Sequence, residues 1–142
     1  MTAPIRDLRV ETVSIRALKP YPNNPRTHSK RQIEQVAASI QVFGWTNPIL
    51  VSDELDLIAG HGRLEAAKSL GLTVVPEMRL SGMSEAQQRA YVIADNRLAE
   101  TAGWDDELLK LEIGGLIEMD LDFQIETIGF ETGEIDVILA GE

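Results

Sequence analysis

The residues with the most chemical reach lie in Ile58-Ala59-Gly60-His61-Gly62-Arg63, where an apolar strand runs into two glycines and then a helix. Two glycines let backbone N–H groups turn toward a ligand, and a helix amino terminus presents about half a positive charge. Arg63, expected in the first helical turn, has a planar guanidinium suited to phosphate oxygens. His61 adds a hydrogen-bond donor or a titratable base, and is the candidate catalytic group. The chemistry suggested is binding of phosphate or a similar anion. The plainer reading is a glycine turn carrying a surface arginine, because short glycine motifs recur widely.

Two further groups stand beside it. Asn23-Asn24-Pro25-Arg26-Thr27-His28 is a rigid loop with polar donors and one arginine just ahead of a helix. By itself it reads as a solvated loop before it reads as a ligand clamp. Ala94-Asp95-Asn96-Arg97 places a carboxylate and an amide at the close of a helix. Such a pair can hold Mg²⁺ beside phosphates, since that ion prefers oxygen ligands. Taken alone, it is better read as a helix end satisfying its own carbonyls.

Several chemistries are excluded outright. His28 and His61 are the only histidines, so a multi-His zinc site is impossible. Cysteine is absent, which removes disulfides, thiolate nucleophiles and Cys-ligated zinc. There is no Gly-x-Ser-x-Gly elbow and no Walker lysine loop. Trp45 and Trp104 are expected to pack rather than stack on bases, because no aromatic-interleaved basic stripe surrounds them.

The elements that must position these groups are short and alternate. Leu8 to Ile15 alternates well enough for a strand, with Arg9 and Glu11 on a solvated face. Pro20, Pro22 and Pro25 make 19–28 a loop. Ser29 with Gln32 forms a capping box, Ile33, Val36, Ala37 and Ile40 follow at helical spacing, and Gly44 supplies the stop. A helix over about 30–43 follows. Pro48 to Val51 and Leu55 to Ala59 read as strands about a turn at Asp53-Glu54. Arg63 to Leu70 reads as a helix closed by Gly71, and Thr73 to Met78 as a strand. Ser84 with Gln87 opens a helix reaching about Leu98. Beyond it come a helix from Asp105 to about Ile117, a strand near Phe123 to Ile128, and a last short helix after Thr132. The fold class expected is α+β: a small mixed sheet with packed helices.

At 142 residues with 44% hydrophobic side chains, the chain can bury one core. No apolar run approaches the roughly 18 residues that span a bilayer, and the amino terminus lacks the apolar core of a signal peptide. A cytoplasmic setting is expected. The net charge of −10 is unevenly spread. Residues 100–142 carry thirteen acidic side chains against the single Lys110, whereas Arg16, Lys19, Arg26, Lys30 and Arg31 fall in a stretch without an acid. The reading is a domain over 1–100 with an acidic extension over 101–142, which packs on it or leads to a partner domain.

Taken in order, these segments resemble the ParB/sulfiredoxin superfamily. Asn24-Pro25-Arg26 resembles its first box. Ser39-Ile40-Gln41-Val42-Phe43-Gly44, running on through Trp45-Thr46-Asn47-Pro48-Ile49-Leu50-Val51, resembles a second. Ile58 to Ala67 resembles the Gly-Glu-Arg-Arg box that cradles nucleotide phosphates in ParB, and Asp95-Asn96 resembles the Glu-Asn box that helps hold metal. The resemblance implies a nucleotide site of Asn24, Arg26, Thr46, Asn47, Gly60, His61, Gly62 and Arg63, with Asp95 and Asn96 toward Mg²⁺. Its ligand would be a nucleoside triphosphate, CTP or ATP.

The chain departs from the family at this site. His61-Gly62 stands where ParB has Glu-Arg, and the arginine expected three residues after the Glu-Asn box falls on Ala99, with Arg97 close by. Sulfiredoxin chemistry needs a cysteine and is excluded. The stretch from Asp95 to Phe130 looks like the ParB-type domain found before DNA methyltransferase domains, in phage and mobile elements. No methyltransferase motif follows, so the chain reads as an excised domain or a free-standing relative.

The leading expectation is a nucleotide- or phosphate-binding accessory domain of a DNA modification or partition system. DNA would be reached through a partner domain, with a DNA methyltransferase or other protein as partner and no membrane. The alternatives are a nucleotide hydrolase, phosphotransferase or nuclease of the same fold, or a protein-interaction module whose site has decayed.

Overall fold

The structure is a computed structural model, and it describes residues 3–20 and 27–141. Asn24 and Arg26 of the first box lie outside the described residues. Four strands form one sheet in the order β1-β4-β2-β3: β1 (Val10–Ser14), β2 (Ile49–Val51), β3 (Leu57–Ala59) and β4 (Val74–Arg79). β1 runs antiparallel to β4, β4 parallel to β2, and β2 antiparallel to β3. Five helices complete the described fold: α1 (Lys30–Phe43), α2 (His61–Ser69), α3 (Glu85–Thr101), α4 (Asp106–Ile117) and α5 (Thr132–Ala140). The expected α+β class with a mixed sheet is borne out.

Strand alternation divides the core. Leu57 joins Ile49, Val51, Val75, Leu18, Leu64 and Ala67 in one buried cluster, which brings α2 onto the sheet. Its neighbour Ile58 points the other way and meets Leu80 and Val92, which anchors α3. β3 is thus held from both faces, so its carboxyl end, where the glycines begin, has little freedom to move. The acidic extension packs on α1. Phe123 meets Phe43 edge-on at 5.8 Å, Gln35 donates to the Gly129 carbonyl at 3.3 Å, and Arg31 pairs with Glu131.

Some expected boundaries shift. β1 starts at Val10, and Ile15 opens a 3₁₀ turn over Ile15–Ala17. The second hairpin strand starts at Leu57, because Ser52 and Asp56 close the turn: Ser52 Oγ donates to Asp56 and accepts from its backbone N–H. The expected strand near Phe123–Ile128 is a 3₁₀ turn over Ile125–Ile128 ending at the left-handed Gly129. Its apolar run packs against α1 instead of pairing with a sheet edge, so burial decided its form rather than propensity. α3 runs three residues past Leu98, which puts Asp95 and Asn96 inside the helix rather than at its close. Trp45 packs against the core as expected, but Trp104 is 67% exposed and leans on Phe130.

Glu77 in β4 is 2% exposed, and its Oε2 has no partner among the described residues. Burial pushes its carboxyl above the usual range; Arg79 at 3.7 Å partly opposes this and Glu11 adds to it. A carboxyl raised in the folded state binds its proton more tightly there than in the unfolded chain. Stability is therefore greatest where both states are protonated and falls as pH rises past the ordinary carboxylate value toward the elevated one. Glu77→Gln is expected to stabilise the fold by about 1 kcal/mol at pH 7 and to lose that advantage near pH 4. Urea unfolding at the two pH values checks this; an equal effect at both would contradict it.

Candidate functional site

The β3–α2 turn is built by close approach. Gly60 takes φ +100°, a left-handed conformation disfavoured for residues with a Cβ. A Cβ there would stand 2.7 Å from Ile49 Cγ2 and 3.0 Å from an Arg63 guanidinium nitrogen. With Gly60 as its cap, α2 begins at His61, two residues before the expected Arg63. His61, Gly62 and Arg63 therefore form the first helical turn, where unpaired N–H groups and the helix dipole favour an anion.

A cleft of about 180 Å³ opens over that turn. Gly60, His61, Gly62 and Arg63 form one wall, His28 and Gln32 another, and Asp95, Asn96 and Ala99 of α3 a third. Tertiary packing thus joins the glycine loop and the Asp95-Asn96 pair, which are far apart in sequence. Thr46 and Asn47 do not line this cleft. Both are exposed, and Asn47 uses its carbonyl to accept from Trp45 Nε1 at 2.9 Å. They abut the site indirectly, because Arg63 donates to the neighbouring Pro48 carbonyl at 3.1 Å.

Among the described residues, two side chains that line the cleft each have a buried nitrogen without a partner, Arg63 Nε and His61 Nε2. Burial lowers the Arg63 pKa while nearby Asp95 raises it. Burial also lowers the His61 pKa, His28 lowers it further, and Glu65 opposes the shift. His61 is therefore biased toward its neutral form.

His28 was not among the expected ligand contacts. Its imidazole lies over Gly62, where a Cβ would sit 3.1 Å from Cε1 and 3.2 Å from Nδ1. The imidazole Nδ1 lies 3.3 Å from Gln32 Oε1, a contact in which the ring donates its N–H. Ser29 caps α1 by accepting from the Gln32 N–H at 3.1 Å. The expected capping box is not completed, because the Gln32 side chain is turned to His28. The sequence signal was there to read: a histidine just before a helix cap, three residues ahead of the second basic side chain of that helix.

Ala99 lines the cleft, whereas Arg97 lies outside it, 70% exposed and paired with Glu100 at 3.6 Å. The charge missing at position 99 is not restored by its neighbour. Asp95 and Asn96 supply one carboxylate and one amide, and the Asn96 Nδ2 donates to the Val92 carbonyl at 2.8 Å. Among the described residues no group of three His, Asp or Glu side chains could hold a metal ion. One carboxylate and one amide do not by themselves make a protein-built metal centre, and Asp95 is also close enough to Arg63 to raise its pKa.

The family model for the ParB N-terminal domain matches residues 2–97. The chain belongs to that family. It is similar to the ParB-like nuclease domain-containing protein YnaK of Escherichia coli K12, with 43% identity over 82 residues, 58% of this chain and 94% of that protein. Its fold is similar to a C-terminally truncated chromosome-partitioning protein ParB from Caulobacter crescentus, complexed with CTP-gamma-S. There the TM-score is 0.75 at 25% identity, covering 92% of this chain and 77% of that one. Sulfiredoxin from Arabidopsis thaliana shares the fold at TM-score 0.50 and 20% identity, covering 59% of this chain and 97% of that one. The expected ParB relationship is borne out, and the likeness to sulfiredoxin is one of fold.

Gly60→Ala should destabilise the fold by about 2–4 kcal/mol, the sum of a left-handed alanine and a clash with Ile49. Chemical unfolding measures this, and a loss below about 0.5 kcal/mol would show that the turn relaxes without the glycine.

Proposed function

We propose that this chain is a ParB-like accessory domain that binds a phosphate-bearing ligand, a nucleoside triphosphate foremost, at the amino terminus of α2. The observation carrying the reading is the pair of buried, unpartnered nitrogens on Arg63 and His61 in one cleft with that helix terminus. Leaving such a group unsatisfied costs about 1–3 kcal/mol, so buried polar atoms without partners call for an explanation. A phosphate at this turn would meet the helix dipole and offer acceptors beside the Arg63 guanidinium.

Volume narrows the ligand. Pockets that enclose a drug-sized molecule run to about 300–1,000 Å³, whereas this cleft is about 180 Å³. It suits a phosphate or diphosphate moiety, with the nucleoside lying over the open side. The Caulobacter relative holds CTP-gamma-S, which supports a nucleotide and makes CTP the first probe.

The net charge of −10 works against nonspecific DNA binding by the chain as a whole, since that affinity depends on neutralising backbone phosphates. Association with DNA through a partner domain, in a cytoplasmic partition or modification system, is the reading that follows. Among the described residues, no helix is long and apolar enough to cross a membrane. Turnover is a second reading, favoured by the neutral-biased His61 beside an arginine. Loss of CTP hydrolysis in His61→Gln at saturating CTP would support it.

CTP, with or without Mg²⁺, should raise the unfolding free energy by about 2.7 kcal/mol at a hundredfold excess over Kd. Arg63→Met keeps the side-chain stem and should weaken binding about tenfold or more while circular dichroism stays unchanged. Equal affinity in the variant, measured by calorimetry, would overturn the proposed role of Arg63.

A further inference from the structure

The two histidines of this chain meet in the cleft, although they are 33 positions apart in sequence. The His28 ring covers Gly62 and His61 occupies the first position of α2, so the pair stands on the turn that presents unpaired N–H groups. Gln32 accepts the Nδ1 proton of His28, which leaves Nε2 as the site for a second proton. His61 has a buried Nε2 with no partner. The charged groups around them are Arg63 and Glu65 on α2 and Asp95 on α3; Gln32 on α1 and Asn96 on α3 are neutral.

We propose that His28 and His61 form a proton-gated pair of phosphate donors, so that the cleft takes up a proton with its ligand and binds more tightly as pH falls. This rests on the reading of the cleft as a phosphate site. In the empty cleft two imidazolium ions would repel each other beside the Arg63 guanidinium. An anion between them removes that penalty, and each imidazole that takes a proton replaces a neutral contact with a charge-assisted hydrogen bond. Gly62 lets the His28 ring lie close against the helix terminus, since a Cβ there would press the ring back by a few tenths of an ångström. A guanidinium in the same place would bind at every pH, whereas imidazoles couple occupancy to proton concentration.

Two measurements test the pair. The first needs no ligand: NMR titration of the two imidazoles in the full chain. His28→Gln removes a like charge near His61, so the His61 midpoint should rise. An unmoved midpoint would overturn the coupling.

The second is calorimetry with CTP between pH 8 and pH 6. CTP's own terminal phosphate titrates in this range, so the readout is the difference between wild type and variants. Wild type should gain about tenfold in affinity relative to His28→Gln and His61→Gln over the interval, with net proton uptake on binding. Parallel pH profiles in all three proteins would overturn the gating while leaving the phosphate site standing. Failure of wild type to bind CTP at any pH would instead count against the site itself, and the NMR result would still decide whether the histidines are coupled.

Discussion

The site depends on a close approach at Gly60. β3 is held from both sheet faces through Leu57 and Ile58, and the chain must leave it sharply enough to start α2 at the next residue. Only a residue without a Cβ can do this against Ile49, and the left-handed φ of +100° is the local consequence. The turn aims the amino terminus of α2 across the end of the sheet toward α3. Arg63 then folds back over Gly60 to the Pro48 carbonyl. The helix terminus, the guanidinium and the start of β2 are thus set by one steric constraint.

Around that turn the electrostatics are balanced rather than simply basic. Asp95 opposes the Arg63 guanidinium, Glu65 opposes the effects of burial and of His28 on His61, and Gln32 orients the second imidazole without adding charge. Such an arrangement limits the cost of burying cations while the cleft is empty. The cleft carries one guanidinium and two imidazoles, with Ala99 facing in where an arginine was expected. The acidic extension docks on α1 through Arg31, Gln35 and Phe43, and so covers part of the basic segment that precedes the core.

Much of the frame was legible in the residues. Helical spacing from Ile33 to Ile40, the Ser84–Gln87 capping box, the glycines at 44 and 71 and the two short apolar runs at 49–51 and 57–59 are local signals, and they mark α1, α3, α2 and the central hairpin to within a few residues. The errors came where a local signal competed with packing. Phe123–Ile128 has the composition of a strand but packs on α1 as a 3₁₀ turn. Asp95-Asn96 resembles a helix end but lies inside α3, where Asn96 bonds the Val92 carbonyl of its own helix. The Ser29–Gln32 capping box is half made because the amide has a longer-range use.

By itself the sequence determined which chemistries were open: two histidines, no cysteine, and an arginine behind two glycines at a strand–helix junction leave anion binding and acid–base work. It also determined the α+β class, since hydrophobic period and turn residues act over a few positions and need no knowledge of the whole. Only the tertiary structure decided that His28 belongs to the site, that Arg97 turns away while Ala99 faces in, and that Thr46 and Asn47 stand aside. Those outcomes depend on how helices distant in sequence sit on opposite faces of the sheet. A side chain's direction is set there by packing against partners that no local pattern encodes.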